Sequence, residues 1–307
     1  MAVALALDGL LGWPNGLYLR FGHPVTWLGR LIKTLDARWN RKDHAPWVRR
    51  AVGAVAAMAV IALASLLAFA VQVAIHPVGS RVVLLGVFAW PFLAVRSLYQ
   101  HVAAIVRPLQ ANDMGEARRA VSMIVGRDPS QLDEAGIARA AIESLAENTS
   151  DGVVAPIFGG ALFGLPGIVG YKAINTLDSM IGHRTERHEA FGWAAARIDD
   201  LANFIPARLT AALFALVAAR PPNAFACMAG DARRHRSVNA GWPEASMAGG
   251  LSVRLCGPRV YHGVVADEPW LNGSARDPGE PDIALALQLY GRAMIGLAGL
   301  LVVFTLV

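Results

Sequence analysis

The sequence predicts an all-α, polytopic integral membrane protein with about four to five hydrophobic helical segments, one of them re-entrant. Of its 307 residues, 55% are hydrophobic and only 17% are charged, and the mean hydropathy is +0.42. Several uncharged runs are longer than a helix in a soluble core requires. Helices are the expected spanning elements, because they pair their backbone groups internally where lipid offers no partner. We expect residues 1–307 to form a single membrane-embedded domain.

The N-terminal segment is predicted to stay attached and to lie in the cytoplasm. Asp8 interrupts the first apolar run early and no basic stretch precedes it, which argues against a cleaved signal peptide. Residues 51–75 then give 25 consecutive uncharged positions, enough to cross about 30 Å of hydrocarbon. Eight lysines and arginines precede this span, whereas residues 76–81 carry only Arg81. The positive-inside rule therefore places residues 1–50 in the cytoplasm of a protein of the inner or plasma membrane.

The next apolar runs are shorter or broken. Residues 82–95 form a 14-residue run that contains Pro91, and this run can cross the membrane if its helix continues to Val106. Residues 107–150 form a polar helical region. Residues 152–171 are uncharged but hold six glycines and two prolines. This composition favours a discontinuous or re-entrant segment that lines a site.

The C-terminal part of the sequence alternates apolar helices with a polar stretch. An apolar helix ends near residue 219, a cytoplasmic-type loop follows over residues 220–282, and a last apolar helix occupies residues 283–307. Cys227 and Cys256 have neither zinc-ligand spacing nor the pattern of a disulfide framework. The net charge of +5 comes from bases beside the apolar runs. No nucleic-acid-reading motif accompanies it, so nucleic acid is not an expected partner.

The densest polar sequence lies at residues 141–156, immediately before the glycine-rich run. Asp128 is a plausible N-cap for a helix that contains this stretch, and Glu143 and Glu147 then lie on one face of that helix. A solvated, salt-bridged face is the ordinary interpretation of such a row. Here the polar residues continue through Asp151 into a turn at the membrane edge, which favours a functional role.

A second polar cluster follows the broken segment. Asp199 or Asp200, together with Asn203, presents side-chain oxygens side by side at helical spacing, which suits a hard cation such as Mg²⁺ beside a phosphate. A capping pair at a helix entrance is the alternative interpretation. A polar helix over residues 172–183 precedes the cluster and can place Lys172 and further polar groups on one face.

Familiar nucleotide, zinc and hydrolase motifs are absent from the sequence. It contains no P-loop, no dinucleotide-binding glycine fingerprint, no HExxH and no nucleophile elbow. Any nucleotide site must therefore be of another kind.

Several phrases resemble the adenosylcobinamide-phosphate synthase family, the membrane amide ligases of cobalamin assembly. The phrases are AVSMIVGRD, AENTSDG, NTLDSMIG, DDLANFIPAR and NAGWPE, in the order of the family. The likeness runs from Asp8 to about Gly263. The sequence departs from the family pattern where Trp13 replaces an acidic residue, His183 a tyrosine, Val238 a proline and Cys256 a glycine.

The resemblance implies an ATP-dependent condensation in cobalamin biosynthesis. A carboxylate of (adenosyl)cobyric acid would join the amine of aminopropanol phosphate, or of free aminopropanol, to give cobinamide phosphate or cobinamide. The expected partners are a corrinoid, a small phosphorylated amine and the lipid bilayer, and the expected cofactors are ATP and Mg²⁺. Such a ligation needs a metal to spread phosphoryl charge, cations to hold phosphates and a base to deprotonate the amine.

The polar clusters and the basic residues supply candidates for each of these roles. The predicted catalytic residues are Glu143, which we expect to be the base, Glu147, Asp151 and Asp178. The predicted metal ligands are Asp151, Asp199, Asp200 and Asn203. The predicted substrate-binding and phosphate-binding residues are Lys172, Asn175, Arg184, Arg197, Arg208, Arg233, Arg234, Arg236 and Asn239.

Two other classes of function stay open. A membrane prenyltransferase also pairs aspartate and asparagine on helices with a magnesium diphosphate, and the polar residues at 175–178 and 199–203 loosely resemble that arrangement. A nonenzymatic membrane sensor or transporter would use the same buried charges as a relay. The first would consume a polyprenyl diphosphate without ATP, and the second would show no chemical turnover.

Overall fold

The computed structural model describes residues 1–126, 128–261, 264–266 and 268–306, and for residues 15, 259–261, 264–266, 305 and 306 it describes the backbone alone. Arg127, which belongs to one of the phrases above, lies outside the described residues, as do Gly263 at the end of the likeness and Val307 at the end of the predicted last helix. Helices make up most of the described chain, and its strands are short.

The helices are bounded as follows. In the first half of the chain they are α1 Ala2–Leu11, α2 Asn15–Phe21, α3 Pro24–Trp39, α4 Pro46–Ile75, α5 Arg81–Ala89, α6 Val95–Gln110, α7 Met114–Ser122 and α8 Glu134–Thr149. In the second half they are α9 Ala155–Phe163, α10 Leu165–Leu177, α11 Trp193–Ala202, α12 Phe204–Val217, α13 Pro221–Asp231, α14 Gly241–Leu251 and α15 Glu280–Leu306.

Irregular helical turns and short strands complete the described structure. The π-helical turns are Ser150–Val154 and Asp178–Gly182, and the 3₁₀ turns are Trp90–Phe92 and Ala232–Arg234. The strands are β1 Leu255–Cys256, β2 Arg259–Tyr261, β3 Val264–Ala266 and β4 Trp270–Leu271. They pair antiparallel, β1 with β4 and β2 with β3.

Long apolar helices confirm the predicted class of fold. Among the described residues, three stretches are long and apolar enough to cross a membrane: Pro46–Ile75, Arg81–Gln110 and Glu280–Phe304. The bent pair of α11 and α12 would be a fourth span if its two helices cross the membrane together. On α4, large apolar side chains such as Leu66 and Phe69 point outward, as on a lipid-facing helix. The chain is an all-α polytopic membrane protein.

The chain divides into two compact units. Unit 1 comprises Met1–Ala94 and Asp151–Asn203, and unit 2 comprises Val95–Ser150 and Phe204–Val307. The sequence gives no sign of this division, because each unit combines two stretches that are distant along the chain.

In unit 1, the two polar residues within the α4 span both contact α10. The Gln72 Oε1 atom accepts the Leu165 N–H at 2.7 Å and so satisfies one of the backbone donors in the first turn of α10. A Cβ atom on Gly170 would lie 2.5 Å from the Ser65 Oγ atom, so the two helices approach closely at this point. Gln72 therefore links α4 to α10 within an otherwise apolar span, and Ser65 marks a close approach of the two helices.

The predicted break within residues 152–171 is confirmed at Gly164. This glycine has φ +67°, a conformation that side chains disfavour, and it separates α9 from α10. The two helices pack so closely that a Cβ atom on Gly167 would lie 2.0 Å from the Gly159 carbonyl oxygen. Each helix alone is too short to cross a bilayer. The re-entrant placement of the pair in the membrane stays a prediction.

In unit 2, α8 begins later than the sequence suggests. Its N-cap is Asp133, whose Oδ1 atom accepts the Gly136 N–H at 2.7 Å. The predicted N-cap Asp128 is wrong, because its carboxylate instead closes a turn by accepting the Ser130 N–H at 2.9 Å. The face of α8 is also not simply solvated, since Glu143 is only 6% exposed.

The stretch predicted as a loop over residues 220–282 is folded. It contains α13, α14 and the four short strands. Nearly all residues of α14 are buried, and a Cβ atom on Gly249 would lie 2.5 Å from the Asn223 carbonyl oxygen of α13. Small residues let these two helices approach closely, and a helix that is buried on all sides has no apolar stripe to reveal it in the sequence.

Candidate active site

The predicted site residues divide between the two units. Unit 1 contains Asp151, Lys172, Asn175, Asp178, Arg184, Arg197, Asp199, Asp200 and Asn203. Unit 2 contains Glu143, Glu147, Arg208, Arg233, Arg234, Arg236 and Asn239. The polar phrases of the sequence thus contribute to both compact parts of the chain.

Both π-helical turns carry a predicted catalytic aspartate. Asp151 lies in the turn Ser150–Val154, and Asp178 opens the turn Asp178–Gly182. Both side chains are half-buried. A π-helical turn contains one residue more than the regular helix needs, and such turns are frequent at functional sites. The irregular backbone of unit 1 therefore coincides with its candidate chemistry.

A buried hydrogen-bond chain positions Asp199 in unit 1. The Tyr171 hydroxyl donates to the Asn203 Oδ1 atom at 2.7 Å, and the Asn203 Nδ2 atom donates to the Asp199 Oδ2 atom at 2.9 Å. Asn203 is 1% exposed, so these bonds are shielded from water. In this arrangement Asn203 orients a carboxylate, a role that differs from the predicted one of metal ligand and that also involves Tyr171.

Lys172 is a half-buried cation of unit 1. Its ammonium interacts electrostatically with Asp151 and with Asp8, and its Nζ atom lies 3.5 Å from the Asn175 Oδ1 atom. The buried Asp8 on α1 was not among the predicted site residues, because a single aspartate in an apolar helix carries no motif. Burial lowers the pKa of the Lys172 ammonium, and the charges of Asp151 and Asp8 oppose that fall, so Lys172 is a cation held among carboxylates.

Asp178 is suited to proton transfer. Burial raises the pKa of its carboxyl group, His183 lowers it and Asp200 raises it, with a net rise above the ordinary value. A carboxylate with a raised pKa takes up a proton more readily near neutral pH. Asp200 itself accepts from the Arg197 Nη1 atom at 3.1 Å near the protein surface, and Arg184 is exposed.

The predicted magnesium ligands of unit 1 do not form a closed cage. Within the described part of the chain, the ligand atoms of Asp151, Asp199 and Asp200 do not gather as a group of three within 4.8 Å of one another. Carboxylate oxygens are nevertheless the donors that Mg²⁺ prefers. Mg²⁺ commonly uses one or two protein carboxylates with water and substrate phosphates. The donor chemistry of unit 1 therefore fits a magnesium ion that arrives with a phosphate.

In unit 2, Glu143 belongs to a buried glutamate cluster with His235, Glu244 and Cys256. The Glu143 Oε1 atom accepts the Cys256 N–H at 2.7 Å, and the Cys256 thiol donates to the Glu244 Oε2 atom at 3.0 Å. The His235 Nε2 atom lies 3.8 Å from the same oxygen. The sequence indicated only Glu143 of this cluster. Its neighbour on the predicted polar face, Glu147, is exposed.

Arg208 forms hydrogen bonds to the segment that precedes α14. It donates to the Phe204 carbonyl oxygen at 2.8 Å and to the Asn239 Oδ1 atom at 2.7 Å. It also donates to the Val238 carbonyl oxygen at 3.0 Å, and its guanidinium carbon lies 3.8 Å from the centre of the Phe204 ring and 4.7 Å from that of the Trp242 ring. These contacts give Arg208 and Asn239 a structural role in unit 2.

The remaining arginines of the basic loop are exposed. Arg233 is exposed, the Arg234 Nη1 atom lies 3.2 Å from the Asp231 Oδ1 atom, and the Arg236 Nη1 atom lies 3.1 Å from the Glu268 Oε1 atom. Ion pairs of exposed arginines contribute at most about 1 kcal/mol. These guanidinium groups can therefore exchange a carboxylate for a phosphate at little cost.

An apolar cleft of about 590 Å³ lies in unit 1. Its walls are almost entirely apolar and include Trp13, Trp27 and Trp90. A nucleotide or a phosphorylated amine requires charged or hydrogen-bonding groups, so this cleft does not suit either. The candidate chemistry of unit 1 is carried by the aspartates and Lys172.

Together these features define a class of protein, the polytopic α-helical membrane proteins that hold carboxylates and cations within a helical structure for a chemical or transport function. The family model described as CobD/Cbib protein matches residues 1–290. The chain belongs to this family of cobalamin biosynthesis proteins, and the resemblance to the adenosylcobinamide-phosphate synthase family is thereby confirmed.

Similar proteins cover nearly the whole chain. A protein of Rhodobacter capsulatus is 60% identical over 297 residues, which are 97% of this chain and 94% of the relative. Proteins of Sinorhizobium fredii and Brucella anthropi are 45% and 42% identical over 97% and 100% of this chain, and over 94% and 96% of their own lengths. All three are named cobalamin biosynthesis protein CobD. No solved structure matches the chain.

Proposed function

We propose that the protein is an ATP-dependent amide ligase that joins (adenosyl)cobyric acid to aminopropanol phosphate, or to aminopropanol, in cobalamin biosynthesis. The observation that carries the proposal is the arrangement in unit 1, where two π-helical turns present Asp151 and Asp178 and where Lys172 lies among carboxylates. Membership of a cobalamin biosynthesis family supports it.

The proposed reaction has two steps. A phosphoryl group passes from ATP to a carboxylate oxygen of the corrinoid, which gives an acyl phosphate. The amine nitrogen then attacks the acyl carbon, phosphate leaves with the C–O electron pair, and the amide forms as the nitrogen loses a proton. Both steps place negative charge beside other negative charge, so fixed cations and a base are needed.

The residues of unit 1 are assigned to phosphate chemistry. Asp151, Asp199 and Asp200 would hold Mg²⁺, and Asn203 would orient Asp199 for this task. The ion, when bound, would spread the charge of the transferring phosphoryl group. Lys172 would hold phosphate oxygens by charge-assisted hydrogen bonds. Further unit 1 groups assigned to substrate binding are Asn175, Arg184 and Arg197, and Asp178 is assigned to proton transfer.

Groups of unit 2 are assigned to the amine substrate. Glu143 would take the proton of the ammonium, and Glu147, which lies one helical turn further along α8, is the other catalytic carboxylate assigned to this helix. Arg233, Arg234 and Arg236 would bind the phosphate of aminopropanol phosphate, because guanidinium contacts to phosphate are strong and directional. Arg208 and Asn239 would support this loop through the hydrogen bond between them.

The test is amide formation by the purified protein in detergent. We expect adenosylcobyric acid, aminopropanol phosphate, ATP and Mg²⁺ to give the amide, detected by mass spectrometry. Each omission of ATP, Mg²⁺ or the amine should abolish the product. Folded protein that forms no amide with either amine would disprove the ligase function. Consumption of a polyprenyl diphosphate without ATP would instead indicate a prenyltransferase.

The basic loop is tested by substitution of Arg234. Arg234→Ala should raise the apparent KM for aminopropanol phosphate by about tenfold or more, the loss of one charge-assisted hydrogen bond. The KM for free aminopropanol should not change. Arg41→Ala is the matched control, because Arg41 is also exposed and pairs with one aspartate at 2.9 Å. Equal changes in KM for the two amines would indicate that the loop serves only to anchor the membrane topology.

A further inference from the structure

Three consecutive elements of unit 2 bring a histidine, a glutamate and a cysteine together. His235 follows the 3₁₀ turn Ala232–Arg234, Glu244 lies in the first turn of α14, and Cys256 lies in β1. Their potential ligand atoms all lie within 4.8 Å of one another, and no other such group of three occurs among the residues that the structure describes. The group contains none of the predicted magnesium ligands.

The three side chains are held in place by their backbones. A Cβ atom on Gly241 would lie 2.4 Å from the His235 Cβ atom, so the start of α14 packs directly on His235. Cys256 is fixed by strand pairing with Trp270. Glu244 and Cys256 are 3% and 1% exposed, and the side chain of His235 is 6% exposed. The group is therefore buried and largely preformed.

The distances suit a tetrahedral ion. Metal–sulfur bonds of about 2.3 Å and metal–nitrogen or metal–oxygen bonds of about 2.0–2.1 Å separate the ligand atoms by roughly 3.3–3.6 Å. The Cys256 Sγ atom is 3.0 Å from the Glu244 Oε2 atom, and the His235 Nε2 atom is 3.8 Å from it. Shifts of a few tenths of an ångström would bring each of these two distances to the spacing of metal ligands, and all the ligand atoms of the group already lie within 4.8 Å of one another.

The Ser237 backbone can pair with the Nδ1 atom of His235 whether or not that atom carries a proton. Its Nδ1 atom accepts the Ser237 N–H at 3.0 Å. The Ser237 carbonyl oxygen lies 3.4 Å from the same Nδ1 atom, and it can accept the proton that Nδ1 carries when Nε2 binds a metal. Backbone carbonyl groups commonly orient metal-bound histidines in this way.

Buried negative charge in this cluster favours a cation. A divalent ion with a neutral imidazole would neutralise the Cys256 thiolate and the Glu244 carboxylate, and the Glu143 carboxylate that accepts the Cys256 N–H adds further negative charge beside them. Binding would release one proton, that of the Cys256 thiol, to solvent. Thiolate and imidazole donors favour a borderline transition-metal ion over Mg²⁺ or Ca²⁺, which prefer oxygen donors.

We propose that His235, Glu244 and Cys256 form a binding site for a divalent transition-metal ion, with Zn²⁺ as the ion that this donor set suits best. The site is separate from the magnesium role assigned to unit 1. Three protein ligands leave the fourth position of a tetrahedral ion for water or another group.

The experiment measures metal content in the full-length protein, purified in detergent, incubated with Zn²⁺ and then dialysed. About one zinc ion per chain is expected. Cys256→Gly should lower the zinc content at least tenfold. This variant should still fold, because Cys256 has φ +59°, a conformation that glycine adopts without strain. Cys227→Ser is the matched control, since it removes the other cysteine, which lies outside the group.

The absorption spectrum of bound Co²⁺ provides an independent test of the metal site. Co²⁺ bound to the wild type and to Cys227→Ser should give a thiolate-to-cobalt charge-transfer band, and Cys256→Gly and His235→Gln should lack it. A wild-type protein that retains less than a tenth of an equivalent of zinc and gives no cobalt band would overturn the proposal. So would an unchanged metal content in Cys256→Gly and His235→Gln. If one variant fails to fold, the other decides the question.

Discussion

Glu143 is held by a hydrogen bond that a glutamine can also accept, which makes the base assignment testable at a single residue. Its Oε1 atom accepts the Cys256 N–H, and a glutamine carbonyl oxygen can do the same. Glu143→Gln should therefore keep the thermal stability of the wild type but lower the rate of amide formation by about 10²–10⁴-fold, the usual contribution of a general base. Initial rates and thermal unfolding in detergent measure both quantities.

Glu143→Leu is the matched comparison for this prediction. Leucine has a similar size but no acceptor, so the buried Cys256 N–H would lose a partner and the protein would be less stable by about 1–3 kcal/mol. A Glu143→Gln variant with a wild-type rate would contradict the base assignment. A Glu143→Gln variant as unstable as Glu143→Leu would mean that the carboxylate is chiefly structural.

Asp277 in unit 2 predicts a loss of stability in acid. It pairs with Arg139 and, at 2.6 Å, with Arg254, and both guanidinium groups stack on Trp270. The hydrogen bonds from Arg254 lower the pKa of Asp277, burial opposes this, and the charge of Arg139 lowers it further, with a net fall. The stability from this carboxylate is therefore present above its unfolded pKa of about 3.9 and is lost as pH falls through the lower folded value.

Asp277→Asn is the variant that tests this dependence. At pH 6 it should be less stable than the wild type by at most about 1 kcal/mol, because solvent screens a partly exposed pair. The difference should vanish below the folded pKa. Asp43→Asn is the control, because Asp43 pairs with Arg41 in a fully exposed position and should have no effect. Thermal unfolding as a function of pH measures the stability of both variants relative to the wild type. If Asp277→Asn stays less stable than the wild type in acid, the ion-pair explanation is contradicted.

Single residues show where the sequence is and is not informative about the site. Asp151 and Asp178 lie in dense polar phrases, and both occupy irregular helical turns of the structure. His235, Glu244 and Cys256 have no such spacing, because three different elements bring them together. Tertiary contacts of this kind leave no periodic signal in a sequence.

At the level of helices, the close packing of α9 on α10 predicts a strict need for glycine. Gly167→Ala would place a Cβ atom 2.0 Å from the Gly159 carbonyl oxygen, and backbone atoms cannot move away cheaply. We expect a loss of about 1–3 kcal/mol, typical of overpacking. Gly291→Ala in α15 is the control, because no atom lies within 4 Å of the added Cβ atom.

Thermal unfolding in detergent compares the two variants. Gly291→Ala should keep or slightly raise the wild-type stability, since alanine favours helices by about 0.8–1 kcal/mol over glycine. Equal stability of Gly167→Ala and Gly291→Ala would show that α9 and α10 are not closely packed in the protein.

The helices differ in how well their sequences predict them. The first span is a long uncharged run and the last is a long apolar run whose single charge is Arg292, and α4 and α15 contain these runs. The start of α8 was misplaced because Asp128 and Asp133 are both good N-caps, and a local hydrogen bond to Ser130 engages the first of them. The small residues of α14 pack on all sides, so its sequence lacks the pattern of a surface helix.

For the whole molecule, the central prediction is the side of the membrane on which the aspartates lie. The positive-inside rule predicts that residues 1–50 face the cytoplasm, and the proposed ATP chemistry would require Asp178 and Asp200 to face it as well. Asp178→Cys and Asp200→Cys, in a chain with Cys227 and Cys256 replaced, should resist an impermeant maleimide on intact cells and react after permeabilisation.

Gly79→Cys is the control for this topology. Gly79 lies in the turn between the first two spans and no atom lies within 4 Å of an added Cβ atom, so this cysteine should react on intact cells. Labelling of position 178 or 200 from outside, with Gly79→Cys labelled as expected, would contradict the proposed topology. The membrane class and the family followed from the sequence, whereas the division into two units did not, because long-range contacts define it.

The π-helical turns also restrict how the sequence can change. A π-helical turn contains one residue more than a regular helical turn; Ser150–Val154 lies between α8 and α9 along the chain, and Asp178–Gly182 follows α10. Deletion of one residue at either turn would restore regular helical geometry there and change the direction in which the side chains of that turn point, because successive residues of a regular helix are rotated by about 100° from one another. Point substitutions cannot produce or remove such an insertion. The directions of Asp151 and Asp178 are therefore fixed by the length of the chain at these turns, and related proteins should preserve that length even where their residues differ.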